Sequence, residues 1–271
     1  MTAPRLLALD MDGTLLNSRK HVSPRTAEAL ERLTATGVPL CFCTGRNVGE
    51  LGPYIEALSF IQYGVLVSGA VVRDLFTGEV ISIRPLELRS ALEVAKTGAI
   101  EDAMVHVLCV EESFVTYRDL ARLEEVHMDV YRPLYENWTS HVQDIESIIY
   151  KHQDDLLKVN LYHASADARD RSRARLSGKG LMLADAEQTS VECTASGISK
   201  AEGLAVLCRH LGCTLDEAAM IGDAGNDLEA LSAVGFPVAM GNAEPEVKDL
   251  AQLVVADCDH DGIVEAIDRL F

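Results

Sequence analysis

No stretch of this 271-residue sequence stays apolar long enough to cross a bilayer. The opening Met1-Thr2-Ala3-Pro4-Arg5 leads into only a short apolar run before an aspartate, too little for a secretory signal. Basic residues are scarce: 24 Lys and Arg face 42 Asp and Glu, a net charge of −18. That surface repels nucleic acid and anionic lipid, so neither a nucleic-acid nor a membrane partner is expected, and the charge reads as solubilising. No Cys-x-x-Cys pair occurs among the seven cysteines, whose number is odd and whose spacing is irregular. This argues against a disulfide framework or a zinc site and suits a reducing, cytoplasmic setting. Internal repeats and low-complexity tracts are also absent. A single tryptophan, Trp138, reads as packing, not as a stacking platform.

What is present is alternation. Short apolar runs follow one another with helical patterns between them, which predicts a doubly wound parallel α/β sheet. Strands are expected at 5–9, 38–43 and 64–67, a hairpin over 71–83 turning near Thr77-Gly78, and later strands at 219–221, 237–240 and 253–256. Helices are expected from Ser23-Pro24 to about Gly37, over 47–58, from Ser199 with Glu202 completing a capping box, and over 226–233, 245–251 and 262–270. Between about 85 and 189 the pattern changes to adjacent short strands (104–110, 113–117, 156–162) among helices, including 166–176. This predicts an inserted α+β domain with a mixed or antiparallel sheet. The boundaries are 1–84 and 190–271 for a discontinuous core and 85–189 for the insertion.

Two acidic clusters each follow an apolar strand: Asp10-Met11-Asp12-Gly13-Thr14 and Gly222-Asp223-Ala224-Gly225-Asn226-Asp227. Carboxylates at the carboxyl ends of strands suit a hard cation and an anionic substrate at the ligand-binding edge of an open α/β sheet. Phosphate monoesters resist attack, because nucleophile and target are both negative; accelerations up to ~10²¹-fold are possible. An aspartate can divide the reaction through an aspartyl-phosphate if positive charge stands nearby. Asp10 at the strand end is the candidate nucleophile. Asp12, two residues on and on the same side of an extended chain, is the candidate acid and base. The Thr14 hydroxyl can tie the turn together. Thr44, Gly45 and the backbone N–H groups after them can hold phosphate oxygens. Lys200 stands in the first turn of its helix, where a cation opposes the macrodipole, which favours a phosphate-binding role over a solvated one. Taken singly, each piece has a bland reading: an Asp-rich turn, a helix start, a surface lysine, N-terminal acids.

Taken in order, DMDGT, TGR, the lysine of GISKAEGL and GDAGND resemble the four motifs of the haloacid dehalogenase superfamily. Ser68-Gly69-Ala70, MGNA at 240–243 and DHDGI at 259–263 extend the likeness to its Cof-type hydrolases, with a type-two, subtype B cap. The resemblance implies a Rossmann-like core with an inserted cap and a Mg²⁺-dependent phosphatase of small phosphorylated metabolites. It implies metal ligation by Asp10, the Asp12 carbonyl and Asp223, supported by Asn226 and Asp227, and phosphate binding by Thr44, Gly45 and Lys200. Many relatives carry Asn where this chain has Ser68. With substrate bound, Asp10, Asp223, Asp227 and a phosphate dianion carry about five negative charges, of which Mg²⁺ and Lys200 cancel about three, so Asp12 is expected to be neutral.

Candidate substrate contacts are Arg46, Ser68 and Asn242 on the core and Lys158, Asn160 and Tyr162 on the cap, the last three alternating along one strand face. That face either roofs the site or is simply solvated. His106, His127 and His163 lack metal-ligand spacing. A sugar phosphomutase and a non-catalytic phospholigand-binding protein are the alternative functions. The metabolite and the oligomeric state are not legible.

Overall fold

Short, fully covered apolar runs become the strands of a sheet buried on both faces, the pattern that parallel sheets require. The computed structural model describes residues 3–185 and 188–271. Among these the strands are β1 (Leu6–Leu9), β2 (Leu40–Cys43), β3 (Tyr63–Leu66), β4 (Val71–Asp74), β5 (Val80–Ile83), β6 (Met104–Cys109), β7 (Ser113–Thr116), β8 (Ser140–Val142), β9 (Leu156–Tyr162), β10 (Leu181–Ala184), β11 (Ser190–Ala195), β12 (Ala218–Gly222), β13 (Phe236–Ala239) and β14 (Leu253–Val254). Contacts divide the chain into two units. One contains residues up to Gly45, Tyr54–Ile83 and Ser199–Phe271; the other contains Arg46–Pro53 and Arg84–Ile198.

The first unit holds a sheet of order β14-β13-β12-β1-β2-β3-β4-β5. β14 through β3 run parallel, and β4 and β5 return antiparallel, with β5 at the edge. β1 is central, with β12 on one side and β2 on the other, so the winding reverses at β1. Ligands bind at such a reversal, beyond the carboxyl ends of the strands. The helix Pro24–Ala35 starts where Ser23 accepts a hydrogen bond from Thr26 N–H and Pro24 takes the first turn. The helix Lys200–Leu211 starts where Ser199 accepts from Glu202 N–H, and ends at Gly212 in the left-handed region. It buries Ala201, Leu204, Leu207 and Cys208 against Val65, Cys43 and Met220 of the sheet.

The second unit has a mixed sheet of order β10-β11-β9-β6-β7-β8, antiparallel except for β7 with β8. One face is apolar: Val105, Val107, Val159, Leu161, Val191 and Cys193 pack with Ala91, Val94 and Ala95 of the helix Leu88–Ile100. Period-two alternation therefore turns Lys158, Asn160 and Tyr162 to the opposite face.

Three expectations change. The helix expected over 47–58 is a 3₁₀ turn, Gly49–Leu51, running into one short helical turn, Gly52–Ile55. Gly49, Gly52 and Pro53 deprive it of a regular interior. Residues 190–195, placed in the core by the sequence pattern, form β11 and pair with β9 and β10. β8 has no counterpart in the sequence reading. All seven cysteines are free, five of them buried. No helix among the described residues is long and apolar enough to cross a membrane.

Candidate active site

Five loops leave the carboxyl ends of adjacent parallel strands, and each carries one of the sequence motifs: Asp10 after β1, Thr44 after β2, Val67-Ser68 after β3, Asp223 after β12 and Met240 after β13. Backbone bonds lock them to neighbouring strands. Asp10 N–H donates to Ile221 O at 3.0 Å, Thr44 N–H to Val65 O at 3.0 Å and Ser68 N–H to Thr44 O at 2.9 Å.

Carboxylate oxygens of Asp10, Asp223 and Asp227 lie within 4.8 Å of one another. Lys200 Nζ enters this group and bonds Asp10 Oδ1 and Asp227 Oδ1, both at 2.6 Å, with its whole side chain buried. Asp227 is fully buried, and its other oxygen accepts from the N–H groups of Asp223 (3.0 Å) and Ala224 (3.3 Å). Asp227 thus shapes the loop that presents Asp223. Asn226, in the same 3₁₀ turn, is half-buried.

The first acidic loop lies against the second. Thr14 Oγ1 donates to Asp223 Oδ1 at 3.0 Å, so this hydroxyl bridges two loops instead of closing its own turn. Gly13 has φ +82°, and a Cβ there would sit 2.3 Å from Asp223 Oδ2. Asn242 donates to Gly13 O at 2.8 Å and to Asp223 Oδ2 at 3.2 Å, which makes it a tie between loops. Asp12 pairs with Lys20 Nζ at 2.9 Å. Lys20 was not selected from the sequence. It arrives because Asn17 Oδ1 accepts from the N–H groups of Arg19 and His21 and bends the chain back, with Lys20 at φ +61°.

Charge in this group is unbalanced. Burial, then the charges of Asp227 and Asp223, push the Asp10 carboxyl well up despite Lys200. Burial and Asp227 push Asp223 up to about 7, against the Thr14 hydrogen bond and Lys200. Burial disfavours the charge of Lys200, but Asp10 and Asp227 outweigh it and hold the ammonium well above its usual value. Three carboxylates around one lysine leave negative charge to be matched, and an all-oxygen donor set fits a hard divalent cation.

Of the remaining candidates, Thr44 is buried, Gly45 and Ser68 are half-buried, and Ser68 takes left-handed backbone angles (φ 59°, ψ 24°). Arg46, Lys158, Asn160 and Tyr162 belong to the second unit. There the polar strand face is buried, which overturns the solvated alternative. Lys158 Nζ lies 3.1 Å from Glu192 Oε1, and Asn160 Nδ2 donates to the Tyr162 hydroxyl at 3.0 Å. His106, opposite Asn160, is buried 3.0 Å from Glu50 Oε1, which also accepts from Ser113 Oγ at 2.8 Å.

An open α/β sheet with acidic loops at its winding reversal and an inserted mixed-sheet domain is the architecture of a class of hydrolases. The chain belongs to the haloacid dehalogenase-like hydrolase family, whose pattern it matches over residues 7–267. It is 29% identical to an HMP-PP phosphatase of Enterobacter sp., covering 96% of this chain and 93% of that one. It is 25% identical to a 5-amino-6-(5-phospho-D-ribitylamino)uracil phosphatase of Bacillus subtilis, covering 100% and 98%. Its fold matches a haloacid dehalogenase-like hydrolase of Bacillus subtilis with TM-score 0.87 at 23% identity, over 98% of this chain and 100% of the other. A haloacid dehalogenase-like hydrolase of Bacteroides thetaiotaomicron matches with TM-score 0.83 at 25% identity, over 99% and 100%.

Proposed function

We propose that the protein is a Mg²⁺-dependent phosphatase of a small phosphorylated metabolite, acting through an aspartyl-phosphate on Asp10. The observation that carries this reading is the meeting of Asp10, Asp223, Asp227 and Lys200 within hydrogen-bonding and metal-binding distance. The phosphatase names of the two relatives support the substrate class.

Asp10, the Asp12 carbonyl and Asp223 would hold Mg²⁺, with Asn226 and Asp227 in support. The ion would supply the positive charge that lets a carboxylate approach a phosphate dianion. Lys200 engages Asp10 Oδ1, which leaves Oδ2 as the attacking oxygen. Lys200 opposes the burial and acidic neighbours that push the Asp10 carboxyl up and, with Thr44 and the N–H groups of the Gly45 turn, neutralises the phosphoryl oxygens. Asp12 donates a proton to the leaving alkoxide. It then removes one from the water that attacks phosphorus, which returns Asp10. Asp223 is oriented by Thr14 and Asn242. Substrate choice falls to the inserted domain and to Arg46, Ser68, Lys158, Asn160 and Tyr162.

A phosphate-release screen across a broad metabolite panel with Mg²⁺ tests this. Wild type is expected to turn over at least one member, and Asp10→Asn and Asp223→Asn none above background. Undiminished release by both variants would refute the site.

A further inference from the structure

A second cluster of metal-ligating groups lies entirely in the second unit and has no part in phosphoryl transfer. Cys109 ends β6, His152 follows the helix Ile145–Lys151, and Asp155 immediately precedes β9. We propose that Cys109, His152 and Asp155 bind a thiophilic divalent cation of the zinc type, which pins the end of β6 to the turn that enters β9.

Register brings the three together. Cys109 pairs with Leu156, with an irregularity between Leu108 and Cys109, so the cysteine lies beside the residue that follows Asp155. The turn is fixed by its own backbone. His152 N–H donates to Ile148 O at 2.9 Å, and His152 O accepts from the N–H groups of Asp155 (3.1 Å) and Leu156 (2.8 Å). One donor atom from each side chain lies within 4.8 Å of the other two. Tetrahedral zinc with ordinary bond lengths spaces its ligand atoms roughly 3.3–3.7 Å apart, so side-chain adjustments of about 1 Å bring these three to the ion, with water as the fourth ligand.

His152 Nδ1 is 3.1 Å from Asp155 Oδ1, so the imidazole nitrogen and the carboxylate that would share the ion already face each other. The surroundings suit a metal. The His152 ring packs on Phe114 with centroids 4.9 Å apart, and Cys109 sits in the apolar cluster with Phe114, Ile149 and Leu156. This collar keeps water from the sulfur, while the Asp155 side chain, 44% exposed, leaves an entrance. Burial, then Asp155 and Glu112, push the Cys109 thiol up, against Lys151. The carboxylates that oppose a bare thiolate attract a cation, whose binding sends the thiol proton to solvent. Thiolate, imidazole and carboxylate form a borderline-soft set that zinc favours, whereas magnesium favours the all-oxygen group of the first unit. Ligands drawn from positions 109, 152 and 155 leave no sequence motif beyond His-x-x-Asp, so the cysteine count alone argued against zinc.

Cobalt(II) is the probe. The full-length protein is stripped with chelator and titrated with Co²⁺ in excess Mg²⁺. Wild type is expected to develop sulfur-to-cobalt charge-transfer absorption that saturates near one equivalent and is displaced by Zn²⁺. Cys109→Ser should abolish that absorption. His152→Gln and Asp155→Asn should each weaken the titration at least about tenfold. Asp223→Asn should leave it intact, which separates this site from the one that hydrolyses phosphate. Circular dichroism checks that each variant is folded. Absence of the absorption in wild type, or wild-type titrations in both folded His152→Gln and Asp155→Asn, would overturn the proposal.

Discussion

Lys200 makes two 2.6 Å contacts with carboxylates while buried, an arrangement that is strong only as a set. Lys200→Met strands two buried acids without their cation. Breaking a buried pair costs about 3–5 kcal/mol, so urea unfolding without Mg²⁺ should show a loss of that order. Phosphate release should fall to background. Gly13 is constrained from two sides, by φ +82° and by the Asp223 carboxylate that a Cβ would strike. Gly13→Ala should therefore reduce phosphate release and weaken Mg²⁺ dependence more than it lowers stability, since left-handed backbone itself costs only about 1–2 kcal/mol. The acidic residues were legible because each directly follows a short apolar strand, and strand ends converge in this topology. Lys20 was not, because its approach to Asp12 depends on an Asn17-centred turn and a left-handed backbone that no period announces. Thr14 and Asn242 were noticed, but their partners lie across chain gaps of more than 200 residues.

At the scale of elements, the β4–β5 hairpin is closed by Asp74. Its carboxylate accepts from Phe76 N–H (2.8 Å), Thr77 N–H (3.0 Å) and Gln62 Nε2 (2.8 Å). Burial would raise this carboxyl, but the Thr77 N–H and the other donors hold it below its usual value. A group with a depressed folded-state pKa stabilises above its unfolded value and loses that contribution as pH falls through the folded one. Asp74→Ala should cost about 1–3 kcal/mol at pH 7. The gap between variant and wild type should close below about pH 4 in denaturant titrations. The helices 166–176 and 262–270 and the strand 156–162 were read to the residue: alternation marks the strand, an amphipathic period the helix 262–270, and the Ser165 N-cap the start of the helix 166–176. The helix expected over 47–58 failed at Gly49, Gly52 and Pro53. There the chain follows tertiary contacts: Asn47 Nδ2 donates to Cys109 O at 3.1 Å, and Gly52 lies against Trp138. Residues 190–195 were left in the core because Ser190-Val191-Glu192-Cys193-Thr194-Ala195 has too few apolar residues to announce a strand or its partner.

At the scale of the molecule, acidic excess and the site act in one direction. A net charge of −18 repels itself, and the acidic cluster concentrates part of that repulsion. Raising ionic strength toward 0.15 M is expected to raise the melting temperature of the metal-free protein, as screening predicts. Mg²⁺ should raise it further by mass action, by about 2.7 kcal/mol of stability at a hundredfold excess over Kd. Asp223→Asn should keep the salt effect and lose the Mg²⁺ effect.

The most direct test of the central claim, that Asp10 becomes phosphorylated, uses Asp12→Asn with an aryl phosphate and Mg²⁺. An aryl leaving group departs without an acid, but water attack still needs the base that this variant lacks. The account predicts a burst of one equivalent of phenol, then stalled turnover, with the phosphoryl group on the peptide that contains Asp10. Steady phosphate release without a burst, or a phosphoryl group on any other residue, would contradict it.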